Sequence, residues 1–339
     1  MRLPRPRGPL SALTATSLLS AVGMSTDRFT DQLDRLAPSC DVLADEDFQL
    51  SLWMLYELHY RGFDDVDPDL EWEPRILACR RLLERRFEQE LRFRTEASVR
   101  KARLQDGAEL ADQLGWLVEH MEGPRLAPYI QREATREQLL EFLAVRSVHH
   151  LKESDPHSFV LPRLDGGAKV ALAELQYDEY GAGRVSRLHQ RLYGDALEAA
   201  GLDRTYGAYV EHAPGSTLAQ NNVMSLLCLH QRNRGAALGH LAAFESTSSA
   251  PCRKIVAGIE RLGFPDAVAA YFVEHVEADA VHEQLAVRDL CGRLVAAEPS
   301  LHDDVLFGAA CCLYLDALAA THLLDGWRAG SEKPVGAGA

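Results

Sequence analysis

The chain has 339 residues, 47% of them hydrophobic and 25% charged, enough for one large core or two modest ones. Fifty acidic side chains against 36 basic ones give a formal net charge of −14. Such a chain repels nucleic-acid phosphates and anionic membrane surfaces, so neither is an expected partner. Seven cysteines form an odd set, most in apolar contexts such as Leu227-Cys228-Leu229, and read as free thiols of a reducing cytoplasm.

Residues 1–24 open with Arg2, Arg5 and Arg7, and a mildly apolar stretch follows. Ser11, Thr14, Thr16 and Ser17 interrupt it, so it reads as a weakly ordered extension rather than a secretory leader, with Met24 an alternative start. No run is expected to reach the ~20 apolar residues of a membrane span. Helical spacing follows at Asp45–Arg61, stopped by Gly62, and at Trp72–Leu91, with Pro74 in the first turn. Two more helices are expected at Ala108–Glu122 and Arg136–His150, the second N-capped by Thr135. Trp53, Tyr56 and Trp72 are expected in the core. Residues 151–169 carry Asp155-Pro156, Pro162 and Gly166-Gly167 and read as a loop. Helical stretches follow at 169–180, 184–200, 217–245, 265–293 and 303–325. No strand alternation, GxGxxG or Walker loop appears. The expected architecture is all-α: a helical N-terminal segment at 25–130, a helical bundle at 131–327 and a disordered tail at 328–339.

The sharpest local signal is Glu274–Glu283, with His275, Asp279 and His282 at i, i+4 and i+7. At about 100° per residue they fall at 0°, about 40° and about −20°, on one stripe of one helix. Glu277 and Glu274 fall at about 200° and about −100°, so they can form the wet side. Burying three ionisable groups together without a metal is costly, and two imidazoles with a carboxylate suit iron, manganese or zinc. Glu245 closes the otherwise apolar stretch Gly235–Ser246, where it is a candidate bridging ligand; Arg234 and His240 nearby are candidate second-layer or substrate groups. In Gln176–Arg184 the carboxylate that would join His189 is open. Glu179 lies about 80° from His189 on an ideal helix unless Gly181 and Gly183 allow a bulge, and Asp178 aligns better. Glu153, beside His149-His150, is a further candidate. Glu57 and His59 fit no ligand motif and read as structural.

These motifs, together with Glu153–His157 and Gln176–Gly183, resemble the haem-oxygenase-like di-iron oxidases and oxygenases, in particular the branch called iron-containing redox enzymes. The resemblance covers about 140–325, and upstream Tyr56–Phe63 and Glu71-Trp72 are similar to full-length members. It implies a haem-oxygenase-like bundle and the metal ligands Glu179, His189, Glu245, His275, Asp279 and His282. Glu153 is an additional ligand by analogy with N-oxygenating relatives, and Asp178 becomes a second-layer or substrate residue. It further implies two iron ions with O2 as co-substrate, manganese being compatible with the same donors. The implied reaction is N-oxygenation, oxidative C–C cleavage or desaturation of an amino-acid-like or fatty-acid substrate in the cytoplasm. An external electron donor and a homodimer are compatible with such an enzyme.

The competing reading is a metal-free or vestigial-site helical small-molecule-binding protein. A thiaminase-like enzyme would need a catalytic thiol, for which Cys228 is the one to test. A ferritin-like store would need paired ExxH motifs, which the sequence lacks.

Overall fold

The computed structural model describes residues 1–20, 25–35, 41–105, 109–121 and 123–330, except the side chains of 277–281. Met24, Cys40, the tail from 331 and the Asp279 side chain therefore lie outside the described residues. Helix punctuation written in the sequence sets most boundaries. Helix α1 (Pro9–Leu19) is followed by α2 (Thr26–Asp34) and α3 (Glu46–Glu57), the last N-capped by Asp45, which accepts from the Phe48 amide. Pro74 occupies the first turn of α4 (Pro74–Arg103), and α5 (Leu110–His120) and α6 (Leu126–Arg132) follow. Thr135 and Gln138 close a capping box on α7 (Arg136–His150). Then come α8 (Asp155–Ser158), α9 (Gly166–Glu179), α10 (His189–Ala199), α11 (Gly215–Leu229) and α12 (Arg234–Ser246). Last are α13 (Ser249–Arg261), α14 (Asp266–Gln284), α15 (Arg293–Ala297) and α16 (His302–Arg328). Among the described residues there is no strand.

Several boundaries differ from the sequence reading. Helix α4 runs twelve residues past Leu91, because its outer face keeps the Arg/Glu spacing of a solvated helix: Arg92 and Arg94 pair with Glu88 and Glu90 one turn earlier. The stretch 217–245 is two helices, parted where His230 takes an extended conformation. Asn233 ties the break down by donating to the Leu226 carbonyl at 3.1 Å. The expected loop at 151–169 contains α8 and the start of α9. After Gln284 the helix widens into a π-helical segment, Leu285–Gly292. Residues 1–20, expected to be weakly ordered, instead pack through α1, with Leu10, Ala15 and Leu18 buried. Arg7 there donates to the carbonyls of Ala213 and Val210 at 2.6 and 2.7 Å. Trp53 and Tyr56 are core residues, whereas Trp72 is 68% exposed, because its helical turn Pro68–Trp72 rides on the surface with no buried residue.

Helices α12 and α16 form the central pair. A Cβ on Gly239 would stand 1.9 Å from the Val305 carbonyl oxygen, and one on Gly308 would stand 1.8 Å from that of Ala236. Only glycine lets the two backbones meet so closely. One hydrophobic cluster joins α1, α3 and α4 to α11, α12 and α16, so the N-terminal helices and the bundle share a core. A second gathers α6, α7, α10, α13, α14 and the end of α16 around Tyr271 and Trp327. Contrary to the sequence reading, Pro299–Arg328 is long and apolar enough to cross a membrane, yet 61% of its most apolar window is buried within the fold, where α16 packs against α12. It is a core helix.

Candidate metal centre

Between the two hydrophobic clusters, five elements deliver polar side chains to one place. Glu153 sits just after α7, Glu179 at the last residue of α9, His189 at the first of α10, Glu245 near the end of α12, and His275 and His282 on α14. All six are between 3% and 7% exposed. Their donor atoms form two overlapping groups, Glu153–Glu179–His189–His275 and Glu179–Glu245–His282, each with all atoms within 4.8 Å of one another. Glu179 belongs to both, and Glu153 also joins His149 and His150 in a third group.

Glu179 and His189 do not meet through a bulge in one helix, as the sequence had suggested. Helix α9 ends, Gly181, Ala182 and Gly183 take positive φ in succession, a short turn at Val185–Arg187 follows, and α10 begins at His189. Gly181 is required twice over, by its φ of 77° and because a Cβ would lie 2.4 Å from the Arg184 carbonyl oxygen. Helix-wheel angles therefore do not apply across this turn. Glu179 faces His189, with Oε2 2.9 Å from Nδ1, while Asp178 stands outside, its Oδ2 3.4 Å from His282 Nε2.

The donor directions are compatible with a metal. His275 Nδ1 donates to the Tyr271 carbonyl at 2.8 Å, which leaves Nε2 to face Glu153 Oε1 at 3.6 Å. Asp178 does the same for His282, turning Nδ1 inward to lie 3.8 Å from Glu179 Oε1 and 3.6 Å from Glu245 Oε2. The Nδ1 atoms of both His189 and His282 are buried and complete no hydrogen bond of good geometry, although Glu179 Oε2 lies 2.9 Å from the first and Glu245 Oε2 3.6 Å from the second. Ser154 donates to Glu179 Oε2 at 2.8 Å, and the Tyr271 hydroxyl reaches both Glu153 oxygens at 2.7 Å. Neither Ser154 nor Tyr271 was a candidate in the sequence, although Tyr271 stands one turn before His275 on the same stripe.

Charge points the same way. Burial alone would lower the His275 and His282 pKa values, but Glu153 beside His275 and Glu245 beside His282 raise them to about 10 and about 9. His189 is raised too, by Glu179. Burial pushes Glu245 up, and Glu179 close by adds to it. In the metal-free chain, protons on the imidazoles thus balance the carboxylates, where cations would do so in a loaded centre. The sign of the pH effect follows. A histidine whose folded pKa exceeds its unfolded value near 6.5 contributes stability that is complete below that value and lost as pH rises through the folded one. Metal-free protein should therefore show a melting temperature that declines between about pH 7 and 10; a flat profile in a thermal scan series would contradict the paired-imidazole description.

Of the remaining candidates, His240 lies 5% exposed beside the centre. Arg234 does not reach it: eleven residues before Glu245, it stands about 16 Å away along α12 and pairs with Glu298. Glu57 is held by Lys152 and Tyr206, and His59 by Glu71, and neither enters a ligand group. Cys228 is 1% exposed and burial pushes its thiol far above the usual range, which is unfit for a nucleophile. The six described cysteines are all buried.

An all-α bundle enclosing a buried carboxylate–histidine cluster is the arrangement of a candidate metal-binding protein. The model of the iron-containing redox enzyme family matches residues 140–317, more than half of the chain, and the protein belongs to that haem-oxygenase-like family. The match takes in every residue of the two ligand groups. A comparison with curated proteins finds no match.

Proposed function

We propose that the protein is a non-haem di-iron oxidase or oxygenase that uses O2 to oxidise a small molecule. The observation that carries this reading is the sharing of Glu179 between two donor groups, the arrangement expected of a bridging carboxylate between two ions. In it, Glu153, His189 and His275 hold one iron, and Glu245 and His282 hold the other. Asp279, whose side chain lies outside the described residues, is a further ligand through the family resemblance alone. Two ferrous ions held there would supply two electrons towards the reduction of O2, the oxidised substrate or an external donor supplying the rest. Mixed imidazole and carboxylate donors also admit manganese.

The chain itself supplies binding and orientation. A cavity of about 650 Å³ reaches His275, Tyr271 and His150. Phe142, Val145, Phe272, Leu313 and Leu323 make most of its wall apolar, and Arg146, Gln220 and Asp316 add a few polar groups, the composition of a small-molecule site. Tyr271 holds Glu153 and Ser154 holds Glu179, so the carboxylates keep their direction when ligands change. The place of Glu153 in the first group supports, through the family resemblance, N-oxygenation over C–C cleavage or desaturation.

Anaerobic Fe(II) loading followed by rapid mixing with O2, read by metal analysis, Mössbauer spectroscopy and stopped-flow absorbance, tests the reading. Two irons per chain and a transient absorbance lost in His275→Ala and Glu245→Ala are the expected result. Absence of stoichiometric iron and of any O2 reaction would sink it and leave the metal-free binding protein as the better description.

A further inference from the structure

A second, much smaller cavity of about 20 Å³ adjoins the same centre. Its wall contains Glu153, Glu179, Glu245 and His275, and also three imidazoles that the proposed centre does not use: His149, His157 and His240. Each is 5–7% exposed. His149 Nε2, His157 Nε2 and His240 Nδ1 are all buried with no hydrogen-bond partner. Three orphaned imidazole nitrogens and the orphaned Gln176 Oε1, all on residues in the wall of one void, call for a hydrogen-bonding occupant. The void is large enough for one water, which needs roughly 10–15 Å³ and two to four polar partners. It is too small for a substrate.

Among the described residues, only Phe244 and His275 line both this void and the large cavity. The Phe244 ring lies 5.2 Å, centroid to centroid, from that of His149, at the boundary. We propose that His149, His157 and His240 hold a single water molecule beside the carboxylates, and that Phe244 is the wall that confines any larger ligand to the other cavity. The two faces of the centre then have different guests: a hydrogen-bonding molecule of water size on one, an apolar organic molecule on the other. Burial lowers all three imidazole pKa values, to about 4 for His157 and about 3 for His240, so the rings are neutral and each offers one donor and one acceptor to such a guest. Phe244 becomes a specificity-determining residue, fixing how far a substrate reaches along the centre.

The proposal rests on the cavities and the imidazoles, and only its significance for catalysis depends on the metal reading. Crystals of the full chain, metal-free and Fe(II)-loaded, are the test, each also pressurised with xenon. An ordered water about 2.7–3.2 Å from at least two of the three nitrogens is expected in both states, with xenon confined to the large cavity. Phe244→Ala should join the two densities, and His157→Leu/His240→Leu should expel the water. An empty void, xenon in the wild-type void, or an iron bound by these imidazoles would overturn the proposal. Iron seated at Glu179 beside a dry void would overturn it while leaving the di-iron reading intact.

Discussion

Glu179→Ala is expected to abolish iron at both positions, whereas Glu245→Ala is expected to lose one iron and keep the other. Glu179 is the residue common to the two donor groups, so its removal takes a ligand from each. It also leaves the Nδ1 atoms of His189 and His282 without the carboxylate that faces them, at 2.9 and 3.8 Å. Changing an outer partner of a metal ligand costs roughly 10–100-fold in affinity, and removing a shared ligand should exceed that at both positions. Glu245, by contrast, stands in the second group alone. Titration with Fe(II) under anaerobic conditions, followed by desalting and metal analysis, separates the two variants. Equal iron contents in Glu179→Ala and Glu245→Ala would remove the bridging role from Glu179. Retention of iron by Glu179→Ala would argue for two independent sites or for a different ligand set.

How much of this centre can be read from the sequence depends on the distance over which its geometry is encoded. His275 and His282 lie on one helix, so the 3.6-residue period aligns them directly, and Tyr271 one turn earlier was legible by the same rule had it been applied to a non-ligand. Glu245 was visible as the lone carboxylate of an apolar helix. The relation of Glu179 to His189 was not, because it is set by three successive residues at positive φ, Gly181, Ala182 and Gly183. Glycine marks such a turn as feasible but does not give its path. His149 and His157 stand on either side of Glu153, the first at the end of the expected helix α7 and the second in α8, where the sequence suggested a loop. Their approach to His240 on α12 is purely tertiary. The all-helical fold was legible because capping residues and apolar periodicity agree along most of the chain; it failed locally where tertiary contacts impose a break, as at His230, or a π-helical segment, as at Leu285–Gly292.

The same distinction governs the contact that holds Glu153 in place. Lys152, its immediate neighbour, is 2% exposed and lies 3.1 Å from Glu57, a carboxylate with no exposure at all, 95 residues earlier on α3. Tyr206 donates to both Glu57 oxygens at 2.9 and 2.8 Å, and the Lys152 ammonium stands 4.3 Å over the Tyr60 ring and 5.5 Å from that of Trp53. A buried pair of this kind is not by itself a large source of stability, because desolvation offsets much of the attraction. Breaking it is a different matter. Lys152→Met leaves the Glu57 anion buried with only neutral donors, which should cost about 3–5 kcal/mol in denaturant unfolding. Lys152→Met/Glu57→Gln keeps an acceptor for Tyr206 and removes the stranded charge, so it should recover most of that loss. The pair also ties the N-terminal helix α3 to the segment that positions Glu153, so the single variant should weaken iron in the first donor group more than in the second. A loss below about 1 kcal/mol in Lys152→Met would mean that Glu57 reaches solvent or another cation. In that event α3 would not be what fixes Glu153, and Tyr271, with its two 2.7 Å contacts to that carboxylate, would be left as its principal support.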